Sequence, residues 1–222
     1  MKWLGWSAGR SSMPCTIHVC GVFSSAPFCG LGQPEFAMPQ PQPHPVETHI
    51  QIVWAFVRLV MLKRVLHEVL PNTRVDFWRI MQGASLDYGL IEWCKVFGNY
   101  HDDTHWTKLV PSNRHDDFRK GLHAAVGRSA DEWDAYHTEM KEYRDQLAAH
   151  HDLTATLDNF PSFDAALEAA YFYYADFLYP TWVADHPNTR YPADMKAFAV
   201  GYRDDLLKIG NVAAQATKQF ES

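Results

Sequence analysis

One predicted helix of the chain ends in residue types that together can cut a phosphodiester without a metal ion. It carries Arg144, Asp145 directly after it, and then His150 and His151. Arginine is a permanent cation that grips phosphate, whereas histidine exchanges a proton near neutral pH. RNA brings its own nucleophile, the ribose 2′-hydroxyl, so the protein needs a base, an acid and a cation in position. The same residues also suit an ordinary helix end, because the helix dipole favours cations there.

The two histidines are favoured by different arguments. On an ideal α-helix His151 lies closer in angle to Arg144, because seven residues make nearly two turns. His150 instead continues an apolar seam with 3-4-3-4-3 spacing, and Arg144 sits one position beside that seam. The seam consists of Trp133, Tyr136, Met140, Tyr143, Leu147 and His150. We therefore take Arg144, His150, Asp145 and His151 as candidate catalytic residues, with His150 ahead of His151.

The elements that must position these residues are helices. Apolar residues recur at helical spacing from Thr48 onward, and strand alternation is absent, which predicts an all-α bundle of about five to six helices. A capping box, Ser129 with Glu132, starts the helix that carries Arg144. Gly98 and Gly127 are expected to close two of the others. The predicted helices span about residues 48–70, 75–97, 112–126, 129–150, 161–180 and 192–220, the fifth ended by Pro180.

The chain divides into a tail, residues 1–45, and a helical domain, residues 46–222. The tail is rich in Gly, Ser and Pro and shows no periodicity, so we expect it to be disordered. It could also reflect a start codon placed too early, with Met38 as the true start. Its residues Cys15, His18, Cys20 and Cys29 lack the paired spacing of a zinc knuckle and are interpreted as incidental.

Composition excludes several classes of function. A net charge of −6 argues against a broad basic surface for duplex DNA. No apolar run is long enough to span a membrane, and the cysteines form no disulfide framework, so we expect a cytoplasmic protein. The polar loop from His101 to His105 has metal-ligand residue types, yet no helical ligand spacing, so a solvated loop is the preferred interpretation. We expect no metal and no cofactor.

Three features together resemble the HEPN superfamily, small helical proteins of which many are ribonucleases. The first is Arg144 with His150, which are separated by five residues and fit its R-x4-6-H motif. The second is Glu92-Trp93-Cys94-Lys95-Val96-Phe97-Gly98 before a loop with His105-Trp106, and the third is the all-helical context. The resemblance covers about residues 48–180. It is nearest to HEPN-like proteins related to abortive-infection phage-defence families.

The resemblance implies a homodimer that brings two motifs together across a two-fold axis, without metal. In such enzymes the histidine is proposed to act on the 2′-hydroxyl of an RNA substrate, while the arginine steadies the phosphate charge. Asp145 would orient Arg144 or His150. A role as a toxin or phage-defence component would add an antitoxin or nucleotidyltransferase partner. The alternative is a catalytically inactive HEPN-like binding or dimerisation module.

Overall fold

The computed structural model describes residues 44–149 and 160–221, and these form an all-α bundle, as predicted. No strand occurs among them. The predicted tail lies almost entirely outside the described residues. The α-helices are α1 (Pro45–Val69), α2 (Asp76–Phe97), α3 (His115–Val126), α4 (Ala130–Tyr143), α5 (Asp164–Tyr173), α6 (Tyr179–Asp185) and α7 (Met195–Thr217). Two π-helical turns, Arg144–Ala149 and Tyr174–Leu178, extend α4 and join α5 to α6, so the described residues form six continuous helices.

Helix α1 forms the centre of the bundle because it packs against α2, α7 and the α5–α6 segment. Gly89 of α2 lies at the contact between the first two helices, where a Cβ would be in ordinary van der Waals contact with Leu59 and Val60. The same core continues as a cluster of aromatic rings that joins the end of α2 to α3, α4 and α5. Its main rings are Trp93, Phe97, Phe118, Trp133, Tyr136 and Tyr173. This aromatic part of the core lies next to the candidate site.

The helix that carries Arg144 begins as the sequence predicts. The Ser129 hydroxyl accepts a hydrogen bond from the Glu132 amide, and the Glu132 carboxylate accepts one from the Ser129 amide. The preceding helix ends at Gly127, whose φ of 66° is the left-handed conformation that glycine adopts without strain. These two ends place α4 in a fixed direction across α2.

Gly98 is needed for a different reason from the one predicted. Its φ is −79°, so it does not adopt the left-handed conformation. A Cβ at this position would lie only 2.3 Å from the Cys94 carbonyl oxygen. Glycine therefore allows the chain to turn tightly off α2 into the loop that borders the candidate site.

The prediction that Pro180 ends the fifth helix is wrong, because the helix continues to Asp185. Proline lacks an amide proton and disturbs the preceding turn of an α-helix. Here that turn is π-helical, and the Tyr179 amide donates to the carbonyl of Tyr174, five residues earlier. The Thr181 hydroxyl donates to the Phe177 carbonyl at 2.6 Å. The wider turn therefore accommodates the proline.

Helix α7 starts later than predicted, at Met195 instead of Pro192. The Asp194 carboxylate accepts a hydrogen bond from the Ala197 amide at 2.9 Å and caps the helix. Within the described residues, none of the helices is both long and apolar enough to cross a membrane.

Candidate functional site at the end of α4

Arg144 lies where α4 passes into its π-helical turn. It is the first residue of that turn, Arg144–Ala149, and the turn packs against α2. Single π-helical turns within α-helices occur frequently at functional sites. The buried seam of α4 agrees with the prediction: Trp133, Tyr136, Met140 and Tyr143 are all buried.

The Arg144 guanidinium is held in place by Asp145. Its Nε donates to Asp145 Oδ1 at 2.8 Å, and a terminal nitrogen lies 2.7 Å from the same oxygen. The Arg144 side chain is 22% exposed and that of Asp145 54%. Burial disfavours the arginine charge, but Asp145, Cys94 and Asp102 outweigh it and raise the pKa of Arg144 above its ordinary value. The result is a fixed cation with one side open to solvent.

Cys94 on α2 forms the floor under Arg144. The Arg144 guanidinium lies close enough to the Cys94 thiol to influence its pKa. Burial raises the pKa of the Cys94 thiol to about 11, even though Arg144 favours the thiolate. The thiol is therefore neutral at physiological pH, as expected of a buried structural cysteine and not of a nucleophile.

A stripe of polar side chains along α4 connects Arg144 to the end of α2. His137, Lys141 and Arg144 follow one another at helical spacing. His137 Nε2 donates to the carbonyl oxygens of Phe97 and Gly98, at 2.5 and 3.1 Å, and so satisfies the C-terminus of α2. The row therefore runs from the end of α2 to the π-helical turn.

His150 and His151 lie outside the described residues. The structure nevertheless changes the argument that separated them. The preference for His151 assumed α-helical rotation from Arg144, whereas residues 144–149 are π-helical and turn by a smaller angle per residue. Ideal α-helical geometry is therefore no ground for preferring His151, and the spacing argument for His150 stays a prediction.

The predicted polar loop borders a cavity of about 410 Å³ at the other end of the α4 stripe. We call this space the α2-end cavity. It is enclosed by the loop after α2, by α3 and by the first turns of α4. Its walls are Gly98, Tyr100, His105, Trp106, Thr107, Arg119, Leu122, His123, Ala130, Trp133, Asp134 and His137.

The sequence suggested a solvated loop around His105, but His105 is buried in the wall of this cavity. Its Nδ1 accepts a hydrogen bond from the Thr107 amide and lies 2.7 Å from the Thr107 hydroxyl. Burial, assisted by nearby cations, lowers the pKa of His105 to about 4. The ring is therefore neutral at physiological pH, and its proton is on Nε2.

A larger groove of about 600 Å³ lies on another side of the bundle, between α1, α5 and α7. It is lined by three arginines and one lysine, and acidic side chains pair with three of these four cations. The pairs are Arg64 with Asp164, Lys196 with Glu168, and Arg203 with Glu68. These ion pairs join the three helices to one another, so we interpret the groove as structural.

Sequence reasoning singled out Arg144 and Asp145, which the structure pairs with each other, but it missed the α2-end cavity. Its residues come from three separate segments and show no recognisable spacing along the chain. The only sequence signal was the concentration of histidine and tryptophan around residue 105. Among the described residues, no group of three or more His, Cys, Asp or Glu side chains is placed to hold a metal ion.

Comparison with known proteins adds no relative. No protein-family model matches the chain, and neither the curated proteins nor the solved structures contain a significant match. The resemblance to HEPN proteins therefore rests on the residues themselves.

Proposed function

We propose that the protein is a HEPN-like, metal-independent endoribonuclease that acts as a homodimer, in a toxin or phage-defence role. The observation that supports this most is the state of Arg144. Its guanidinium is held by Asp145, lies near Cys94, keeps its charge, and is open to solvent on one side. A preorganised cation of this kind stabilises developing charge without having to reorganise during the reaction.

The reaction assigned to the site is transesterification, in which the ribose 2′-hydroxyl of RNA attacks the neighbouring phosphodiester. A neutral His150 removes the 2′-hydroxyl proton as the 2′-oxygen attacks phosphorus. The bond from phosphorus to the 5′-oxygen breaks, and the His150 of a second copy, in its protonated form, donates a proton to that leaving oxygen. The products are a 2′,3′-cyclic phosphate and a 5′-hydroxyl. Arg144 stabilises the extra negative charge on the phosphate oxygens, and Asp145 keeps the guanidinium oriented.

A second candidate function is a catalytically silent binding or dimerisation module. It is favoured by the pairing of Arg144 with Asp145, because the aspartate neutralises much of the charge that a phosphate would need. The arginine is also more than three-quarters buried and contacts Cys94. Both features are those of an arginine that stabilises a helix junction.

Incubation of the full chain with single-stranded RNA in EDTA tests the proposal. We expect cleavage by the wild-type protein and loss of cleavage, by about a hundredfold or more, in Arg144→Ala and in His150→Ala. Asp145→Asn should reduce cleavage less, because it loosens the guanidinium without removing its charge. His151→Ala should retain most of the activity.

Arg79→Ala is a matched control, since Arg79 is an exposed arginine paired to Asp76 on α2. It should leave cleavage unchanged. Cleavage that survives both Arg144→Ala and His150→Ala would exclude the proposed site, and absence of cleavage in the wild type would favour the binding module. Expression of wild-type and His150→Ala protein in a bacterium tests the toxin role, because only the former should slow growth.

A further inference from the structure

We infer that the α2-end cavity binds a nucleobase, the base of a nucleotide close to the scissile bond of a single-stranded RNA. This rests on the proposed function, since it names the substrate feature that the same protein recognises beside Arg144. At about 410 Å³, the cavity lies within the size range of small-molecule sites.

Aromatic rings provide the surface on which a base would stack. Tyr100 stands at the rim and is 61% exposed, so its ring is accessible to a ligand. The ammonium group of Lys108 lies 4.9 Å from the centre of its ring. Trp106 and Trp133 form buried walls deeper in the cavity. Aromatic rings combined with nearby cations are typical of sites for unpaired bases.

Hydrogen-bonding groups of both kinds line the same space. Neutral His105 can only donate from Nε2, because its Nδ1 is engaged by Thr107. His137 donates its Nε2 proton to backbone carbonyls, so its Nδ1 is an acceptor when the ring is neutral. Asp134 adds a carboxylate that accepts hydrogen bonds. A base edge presents the complementary set of donors and acceptors.

The charges of the cavity favour a base over a phosphate. Arg119 is the cation in its wall, and it also pairs with Asp116 and lies over the ring of Trp106. Asp134 contributes a carboxylate to the lining of the same cavity. A phosphate would gain little electrostatic attraction here, because a cation and a carboxylate line the same cavity. A neutral base does not depend on net charge and needs only hydrogen-bonding partners for its polar edges.

The separation from Arg144 suits neighbouring nucleotides. His137 in the cavity wall and Arg144 are seven residues apart on one continuous helix, which is about 10 Å at 1.5 Å per residue. One short stretch of RNA can therefore reach both, with a base in the cavity and a phosphate on the guanidinium.

Ligand-observed NMR with nucleosides tests the inference without any cleavage. Adenosine, guanosine, cytidine and uridine are added to the full chain, and ribose serves as the probe that lacks a base. We expect magnetisation transfer to base protons and none to ribose. Tyr100→Ala should weaken nucleoside binding by about tenfold or more, because it removes the stacking surface. Asp134→Ala should weaken it severalfold.

Tyr88→Ala is the matched control. Tyr88 is also an exposed tyrosine, with Lys95 over its ring, but it lies on α2 away from the cavity. The inference is overturned when no base proton receives magnetisation, or when Tyr100→Ala and Tyr88→Ala bind nucleosides equally well. Arg144→Ala separates the two proposals, because it should abolish RNA cleavage and leave nucleoside binding unchanged. Tyr100-dependent nucleoside binding without any cleavage by the wild type would support the cavity and refute the nuclease.

Discussion

Tyr136→Phe removes a single oxygen atom that joins α4 to the start of α5. The Tyr136 hydroxyl donates to the Ser162 carbonyl at 2.6 Å and accepts from the Ala166 amide at 3.2 Å. Ala166 lies in the first turn of α5, where amides have no partner within the helix. The substitution therefore breaks two hydrogen bonds while it leaves the buried ring in place.

The expected loss follows from what each partner can do afterwards. Ala166 is completely buried, so its amide has no access to water, and an unsatisfied buried donor costs about 1–3 kcal/mol. The Ser162 residue is exposed, so its carbonyl can turn to water, and the loss there is about 1 kcal/mol. Together they reduce the free energy of unfolding by about 2–4 kcal/mol, a substantial part of the stability of a typical domain.

Urea unfolding followed by circular dichroism measures this loss, with Tyr174→Phe as the control. The buried Tyr174 hydroxyl makes one hydrogen bond, to the Pro192 carbonyl at 2.6 Å, so its removal should cost about 1 kcal/mol. For both variants we expect a lower urea midpoint than in the wild type, with an unchanged dependence of the unfolding free energy on urea concentration. A loss in Tyr136→Phe that is no larger than in Tyr174→Phe would refute the role assigned to the Ala166 amide.

Three further predictions concern pH, backbone space and thiol reactivity. Burial lowers the pKa of His49 and of His105 from 6.5 to about 4, so between these pH values the unfolded chain binds protons that the folded chain does not bind. The free energy of unfolding should therefore be highest above pH 6.5 and decrease towards pH 4, by up to about 3 kcal/mol for each histidine. His49→Gln should weaken the dependence of the urea midpoint on pH. Gly98→Ala should lower the melting temperature because its Cβ would meet the Cys94 carbonyl, whereas Gly83→Ala, with open space around it, should raise stability by about 0.5–1 kcal/mol; equal effects in calorimetry would contradict the steric argument. The Cys94 thiol should resist iodoacetamide at pH 8 until urea unfolds the protein, and mass spectrometry of the native protein with Cys94 alkylated would show that the thiol is accessible.

The parts of the fold that the sequence predicts are those set by neighbouring residues. The capping box that starts α4 joins Ser129 and Glu132, which are only three positions apart. The end of α3 depends on the backbone conformation of a single residue, Gly127. Apolar periodicity predicts the buried seam of α4 because one helix presents the same face to one core. Such rules need no knowledge of what lies on the other side of the interface.

The parts that the sequence does not predict depend on distant contacts. Arg144 rests on Cys94, fifty positions earlier in the chain, and neither residue marks the other as a partner. Residues around 98–107 look like a solvated loop until α3 and α4 fold over them, which buries His105. Proline usually ends an α-helix, but the π-helical turn before Pro180 accommodates its ring and its missing amide proton, so the helix continues. In each case the tertiary environment outweighs the local preference.

The spacing along α4 bears on whether RNA or a small molecule is the ligand. His137 in the wall of the α2-end cavity and Arg144 lie on one continuous helix, with a rise of about 10 Å between them, so this spacing cannot adjust to the ligand. A free nucleoside occupies only the cavity and gains nothing from the guanidinium. An oligonucleotide that places a base in one and a phosphate on the other gains from both, since the second contact becomes intramolecular once the first has formed. The proposed pair of sites, one for a neutral ring and one for an anion, is therefore better matched to a polymer that alternates the two than to a ligand with only one of them.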